Sequence, residues 1–196
     1  MKKTENKNEA IKDYPGVLFL IVGNSGSGKD SIIEGVIKQF PEEPKAIYNP
    51  RRYITRPPSD TEENIPIKPD EFRRMQEKNK FAITWHIYGL DYAIPKEMDE
   101  FLKNGHPVIV NVSRTIIEQA RKVYKNLKVI FIQVPFEITV ERIKERGREN
   151  KEGLKERIER AKTHQLFPGA DCIVDNSGEL QDAIDQCLTY ILSEIS

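Results

Sequence analysis

Short apolar runs recur along the chain, and the stretches between them carry helical rather than alternating periodicity. The first run, GVLFLIV from Gly16 to Val22, lacks the polar alternation of a half-exposed strand, so it predicts a strand buried on both faces of a parallel sheet. From Asp30 onward, Ile32, Ile33, Val36, Ile37 and Phe40 form the stripe of an amphipathic helix, which Pro41 stops. Further runs follow at 45–54 (KAIYNPRRYI), 107–113 (PVIVNVS), 128–134 (KVIFIQV) and 171–174 (DCIV). Helix-like segments occupy 114–126 and 135–166, and a last amphipathic helix spans Leu180 to Leu192. Strands alternating with helices predict an α/β fold: a parallel core sheet of five strands with helices on both faces.

The interval between Pro57 and Met98 breaks this alternation. In FAITWHIY, residues Phe81, Ile83, Trp85 and Ile87 share one face, while Ala82, Thr84, His86 and Tyr88 share the other. This period of two predicts a small inserted antiparallel subdomain over 57–98. Residues 1–14 are polar and aperiodic and predict a disordered tail, leaving 15–196 as a single domain.

Composition narrows the partners. Thirty-one lysines and arginines balance thirty-one aspartates and glutamates, so no global field draws the chain to nucleic acid or membrane, and any anion affinity must be local. No apolar run approaches the roughly 20 residues that span a bilayer, and MKKTENKNEAIKDY lacks the apolar centre of a signal peptide. A cytoplasmic protein is expected. Cys172 and Cys187 have neither the number nor the spacing of a disulfide framework or zinc site, which predicts reduced thiols.

The first strand leads into a candidate phosphate cradle. Gly23, Asn24, Ser25, Gly26, Ser27, Gly28 and Lys29 fit the first seven positions of G-x-x-x-x-G-K-[ST], with the required strand before and helix after. Such a loop turns successive N–H groups towards phosphate oxygens, aided by the helix N-terminus and the lysine. Asp30 stands where the motif carries a hydroxyl. Either its carboxylate serves magnesium, directly or through water, or it points away and Ser31 supplies the hydroxyl.

Two basic segments supply further candidates. RRYITRPP places Arg51, Arg52 and Arg56 together at a predicted strand end, with no acid from Asn49 to Pro58 to pair them, which points to a second anion site. Within 141–160, Arg142 and Arg146 are like charges four residues apart, an arrangement that disfavours a helix unless an anion lies nearby. Gly147 and Gly153 bracket a predicted loop between two helices, so this segment reads as an arginine-bearing lid, with Arg146 and Arg157 as catalytic donors to the transferred group. In the insertion, His86 is a candidate through the polar face it shares with Thr84 and Tyr88.

Taken together, these features resemble the guanylate kinase-like branch of the P-loop nucleoside monophosphate kinases, from about Val17 to the C-terminus. Within that branch GNSGSGKDS, RRYITRP, WHIYGLDYAIP, VNVSR, ERGRE and VDNSGEL, in this order, look like the ribose 1,5-bisphosphate phosphokinase family, which also carries Asp after the loop lysine. Relative to guanylate kinase, the acid that reads guanine is replaced by Thr84, the YG[ST] motif by YAI (Tyr92 to Ile94), a serine by Arg52 and an arginine by Ser59. The resemblance therefore implies ATP as donor, magnesium as cofactor and, in place of a nucleotide, a sugar bisphosphate acceptor approached by Arg52, Arg56, Thr84, His86, Tyr92 and Asn111. It implies also that Asn176 lies near the adenine. Neither nucleic acid nor membrane is an expected partner, and a homodimer is compatible with the sequence. Two other readings remain open at this point: a guanylate or other nucleoside monophosphate kinase, and a non-catalytic module that binds a protein.

Overall fold

In the computed structural model, the described residues are 10–57, 64–146 and 151–195. The order of elements is β1 (Leu18–Gly23), α1 (Lys29–Gln39), β2 (Tyr53–Ile54), β3 (Ile65–Pro66), α2 (Pro69–Glu77), β4 (Phe81–Ile87), β5 (Leu90–Pro95), α3 (Met98–Lys103), β6 (Val108–Asn111), a 3-10 turn (Arg114–Ile116), α4 (Ile117–Val123), β7 (Leu127–Gln133), α5 (Phe136–Arg146), α6 (Lys151–Thr163), β8 (Cys172–Asp175) and α7 (Leu180–Ile195).

The core sheet is parallel with strand order β6-β1-β7-β8. Strand β1 is central and apolar throughout because both of its faces are covered. Leu18, Leu20 and Val22 pack with Met98, Leu102, Ile117 and Ala120 on the α3 and α4 side. Phe19 and Ile21 pack with Ile32, Val36, Ile184, Cys187 and Ile191 on the α1 and α7 side. Burying each such aliphatic side chain contributes about 1.5–3 kcal/mol.

Among the described residues the core sheet has four strands rather than five. The run at 45–54 divides: Tyr48 makes one isolated parallel bridge to Val108, at the sheet edge, and Tyr53–Ile54 joins a different sheet. Pro50 lies between them, and without an N–H it cannot continue a ladder. The second sheet has order β3-β2-β5-β4. It is mixed rather than antiparallel, since β2 and β3 run parallel while β2-β5 and β5-β4 are antiparallel. The insertion thus borrows its strand β2 from before residue 57.

Strands β4 and β5 meet in a two-residue turn, Tyr88–Gly89, with φ of 55° and 71°. Positive φ at both positions matches the twist of a tight hairpin. Glycine adopts it readily, whereas at Tyr88 it is uncommon.

Two expectations at the chain's periphery change. Residues 1–9 of the expected tail lie outside the described residues, but the segment after them is docked. Lys12 forms a parallel bridge with Tyr124, and its Nζ donates to Asp99 Oδ2 at 2.7 Å and to Tyr124 Oη at 2.9 Å. The Asp99 carboxylate, almost fully buried, is paired rather than left as an isolated charge. In the lid, residues 147–150 lie outside the described residues, Gly147 among them, while Gly153 sits within α6 instead of ending a loop. No helix among the described residues is long and apolar enough to cross a membrane.

Candidate functional site: an arginine-lined cleft over the phosphate loop

The loop between β1 and α1 runs along the carboxyl edge of the core sheet, where ligands of open α/β sheets bind. Gly28 precedes α1 with φ of 83°. A Cβ there would stand 2.4 Å from Asn176 Nδ2, so both conformation and space require glycine. Lys29 Nζ folds back over the loop, donating to Gly23 O (3.1 Å), Asn24 O (2.8 Å) and Ser27 Oγ (3.3 Å). The cradle is thereby held in shape from within.

A cleft of about 540 Å³ opens above this loop. The loop lines one side, Arg52 and Arg56 lie at β2, Trp85, Ile87, Tyr88 and Tyr92 come from the β4-β5 hairpin, Asn111 to Arg114 follow β6, and Arg142, Arg157 and Arg160 come from α5 and α6. Seven cationic side chains, one lysine and six arginines, face two carboxylates, Asp30 and Glu145. In a chain with no net charge, this concentration makes the cleft a local anion trap.

Asp30 lines the cleft with its side chain 46% exposed. Its Oδ1 accepts from Asn111 Nδ2 at 2.6 Å and from Arg52 Nη2 at 3.5 Å. Arg52 also donates from Nη1 to Asn111 O at 3.2 Å and from Nε to Asn64 Oδ1 at 3.2 Å. Asp30 is thus turned towards β6 and Arg52, and Ser31 lines the cleft beside it. Among the described residues no three His, Cys, Asp or Glu side chains gather as a metal cage. Magnesium in phosphoryl-transfer sites uses one or two protein oxygens with waters and substrate phosphates, so Asp30 with Ser31 fits that mode of binding.

The lid helix α6 is latched to the loop. Arg114 donates from Nη1 to His164 O (2.8 Å) and from Nη2 to Asn24 Oδ1 (2.9 Å). Asn24 Nδ2 in turn reaches Ala161 O (3.4 Å) and His164 O (3.2 Å). These donors satisfy carbonyls at the C-terminal end of α6, where positive charge is favoured. The Arg114 guanidinium lies 4.8 Å from the Phe131 ring centroid, and burial, followed by repulsion from Arg160, pulls its pKa down to about 10. It stays charged at neutral pH. Arg157 donates from Nη1 to Ser25 Oγ at 2.8 Å, and Arg157 and Arg160 lie 4.8 and 5.8 Å from the centroid of Tyr88. The loop, the lid and the inserted hairpin therefore meet around one cavity.

The structure brings some of the residues singled out in the sequence together and leaves others apart. The loop, Lys29, Asp30, Ser31, Arg52, Arg56, Tyr92, Asn111 and Arg157 converge on the cleft; Ser27, from the same loop, is buried behind it. Thr84 does not: alternation along β4 turns it to a separate cavity of about 230 Å³ with Gln76 and Gln119. His86 is exposed, 2.7 Å from Asp91 Oδ1, and does not line the cleft. Trp85 instead reaches it, stacked on Tyr92 with centroids 5.1 Å apart. Asn176 is buried and donates from Nδ2 to Ser27 O at 2.8 Å, so it braces the loop from behind. Arg146 ends α5 with its side chain outside the described residues, and Ser59 lies outside them altogether.

Arg114, Arg142 and Arg160 also line the cleft; the sequence marks Arg142 only through its like-charge spacing to Arg146, and Arg114 and Arg160 not at all. Arg114 was findable, as the first basic residue beyond the carboxyl end of a core strand. Arg160 stands four residues after Glu156, a spacing that suits a helix-surface ion pair, and nothing in the periodicity places it on Tyr88.

A glycine loop with its lysine, set in an α/β sheet beneath an arginine-lined cleft, defines a P-loop phosphotransferase architecture. The family model described as guanylate kinase matches residues 16–194. The ribose 1,5-bisphosphate phosphokinase of Bradyrhizobium diazoefficiens is 34% identical over 191 residues, covering 97% of this chain and 96% of the relative. That of Rhodopseudomonas palustris is 35% identical over 165 residues, covering 84% and 82%. A guanylate kinase from Anaplasma phagocytophilum shares the fold, with a TM-score of 0.65 at 16% identity over 94% of this chain and 88% of that one. The chain belongs to the guanylate kinase family and, within it, to the group of the ribose 1,5-bisphosphate phosphokinases.

Proposed function

We propose that the protein transfers the γ-phosphoryl group of ATP to the 1-phosphate of ribose 1,5-bisphosphate, giving 5-phosphoribosyl 1-diphosphate and ADP in the cytoplasm. The observation that carries this reading is the charge of the acceptor side. Arg52 and Arg56 line the cleft together with the loop, and the part of the hairpin that lines it offers aromatic and aliphatic side chains with no carboxylate. An acceptor rich in phosphate and lacking a base matches that lining, and the names of the relatives point the same way.

The chemistry asks mainly for positioning. A phosphate oxygen is already ionised at neutral pH, so the acceptor needs no general base to become a nucleophile. Lys29 and the loop N–H groups hold the donor's outer phosphates. Arg157, at the loop through Ser25, and Arg142 and Arg160 beside it supply donors for charge that spreads over the transferred group. Asp30 or Ser31 would hold magnesium, which would supply charge neutralisation at the phosphate oxygens.

An ADP-release assay with Mg-ATP and a panel of acceptors tests the proposal. Ribose 1,5-bisphosphate should be turned over faster than GMP and other nucleoside monophosphates, and a preference for GMP would sink it. In the same assay Arg52→Ser should raise the KM for the bisphosphate by about tenfold or more, the loss of a charge-assisted contact, with little change in the KM for ATP.

A further inference from the structure

The residue after the loop lysine belongs to the donor half of the site by position, yet its contacts lead to the acceptor half. Asp30 Oδ1 holds the Asn111 amide at 2.6 Å, a short hydrogen bond to an ionised acceptor, which is the stronger class. Asn111 is 8% exposed, so its side-chain amide has little water to turn to. The same residue's backbone carbonyl accepts from Arg52 Nη1, and Arg52 Nη2 faces Asp30 Oδ1. Three elements, the start of α1, the end of β6 and the approach to β2, are tied through this one carboxylate.

A hydroxyl at position 30 is shorter, uncharged and unable to bridge Asn111 and Arg52 together. An acid at position 111 would set two carboxylates against each other across the 2.6 Å contact. The pair is matched: the charge sits on the loop side and the neutral donor on the strand. Arginine orientation matters here because a guanidinium grips phosphate through a planar fork, and a misdirected fork loses both hydrogen bonds.

We propose that Asp30 is a specificity-determining residue for the acceptor, its carboxylate, fixed by the Asn111 amide, holding Arg52 by direct contact in the orientation that receives an acceptor phosphate. The proposal rests on the function stated above and assigns this role apart from any service to magnesium. Two effects of Asp30 on an anionic acceptor then oppose each other. Its charge repels the phosphate, but at 46% exposure that repulsion is screened. Its hold on Arg52 aids binding, and this effect wins while Arg52 is present.

Equilibrium binding by calorimetry tests this without turnover, in chelator-treated buffer without nucleotide, on the wild type, Asp30→Ala, Arg52→Ser and the double variant. Asp30→Ala should weaken binding of ribose 1,5-bisphosphate by about tenfold when Arg52 is present. In the Arg52→Ser background the same change should have no effect or tighten binding, because only the repulsion is then removed. Asp30→Asn, which keeps an acceptor oxygen for Asn111, should fall between wild type and Asp30→Ala, and thermal melts confirm that each variant is folded. Equal effects of Asp30→Ala in both backgrounds, or tighter binding in both, overturn the proposal; no effect in either leaves Asp30 to magnesium alone and overturns it too. GMP is titrated in parallel. Wild-type binding of GMP but not of the bisphosphate sinks the proposed function, and the cycle with GMP then decides on Asp30; binding of neither overturns both.

Discussion

Lys29 already satisfies three acceptors of its own loop, so its removal takes away a preformed cradle as well as a charge on the outer phosphates. Lys29→Ala should lower kcat by about 100-fold or more, the scale of losing one preorganised donor to a transferring group. Circular dichroism should show the fold intact, and a drop of only a few-fold would mean that the loop does not hold the donor. Asn176 makes the contrasting case. Its amide donates to the Ser27 carbonyl behind the loop, and Asn176→Ala should destabilise the protein by about 1–3 kcal/mol through an unsatisfied buried carbonyl. Urea unfolding measures that loss. The preference for ATP over GTP should stay as in wild type; a changed preference at unchanged stability would put Asn176 at the base after all.

At the scale of elements, the latch between α6 and the loop is a two-residue device. Arg114 and Asn24 both donate to the His164 carbonyl, Asn24 also to that of Ala161, and the two bind each other. Arg114→Lys keeps the charge but loses the planar fork that meets two acceptors at once, so kcat should fall by about tenfold, the equivalent of roughly 1.4 kcal/mol. Because both residues act on one contact, Asn24→Ala added to Arg114→Lys should cost much less than the product of the single effects. Multiplicative losses in steady-state kinetics would show that the two act separately. The elements themselves were largely legible in the sequence. Strand β1, helix α1 and strand β4 follow from hydrophobic period alone. The second predicted strand was not, because its apolar residues obey strand propensity on both sides of Pro50, and only pairing partners decide which sheet each half joins.

Across the whole molecule, the two cysteines report on the core. Burial pushes the Cys187 thiol up to about 12, and burial with nearby acids raises that of half-buried Cys172. At pH 8 the reactive thiolate of Cys187 is then of order one part in ten thousand. Maleimide labelling of the native protein should leave Cys187 unmodified over hours while urea exposes it at once, and rapid native labelling would mean that α7 does not seal this face. The same packing explains where sequence reasoning stopped. By itself the sequence determined the α/β class, the phosphate loop with Lys29, the unusual Asp30 and the cluster of Arg51, Arg52 and Arg56, because each depends on local period, backbone freedom or residue chemistry. Only the tertiary structure decided that Thr84 and His86 leave the cleft while Trp85 enters it, that Asn176 braces the loop, and that Arg114 latches α6. The bracing by Asn176 and the latch by Arg114 depend on which faces meet across some 50 to 150 residues of chain, and no local pattern records the distance between residues that folding brings together.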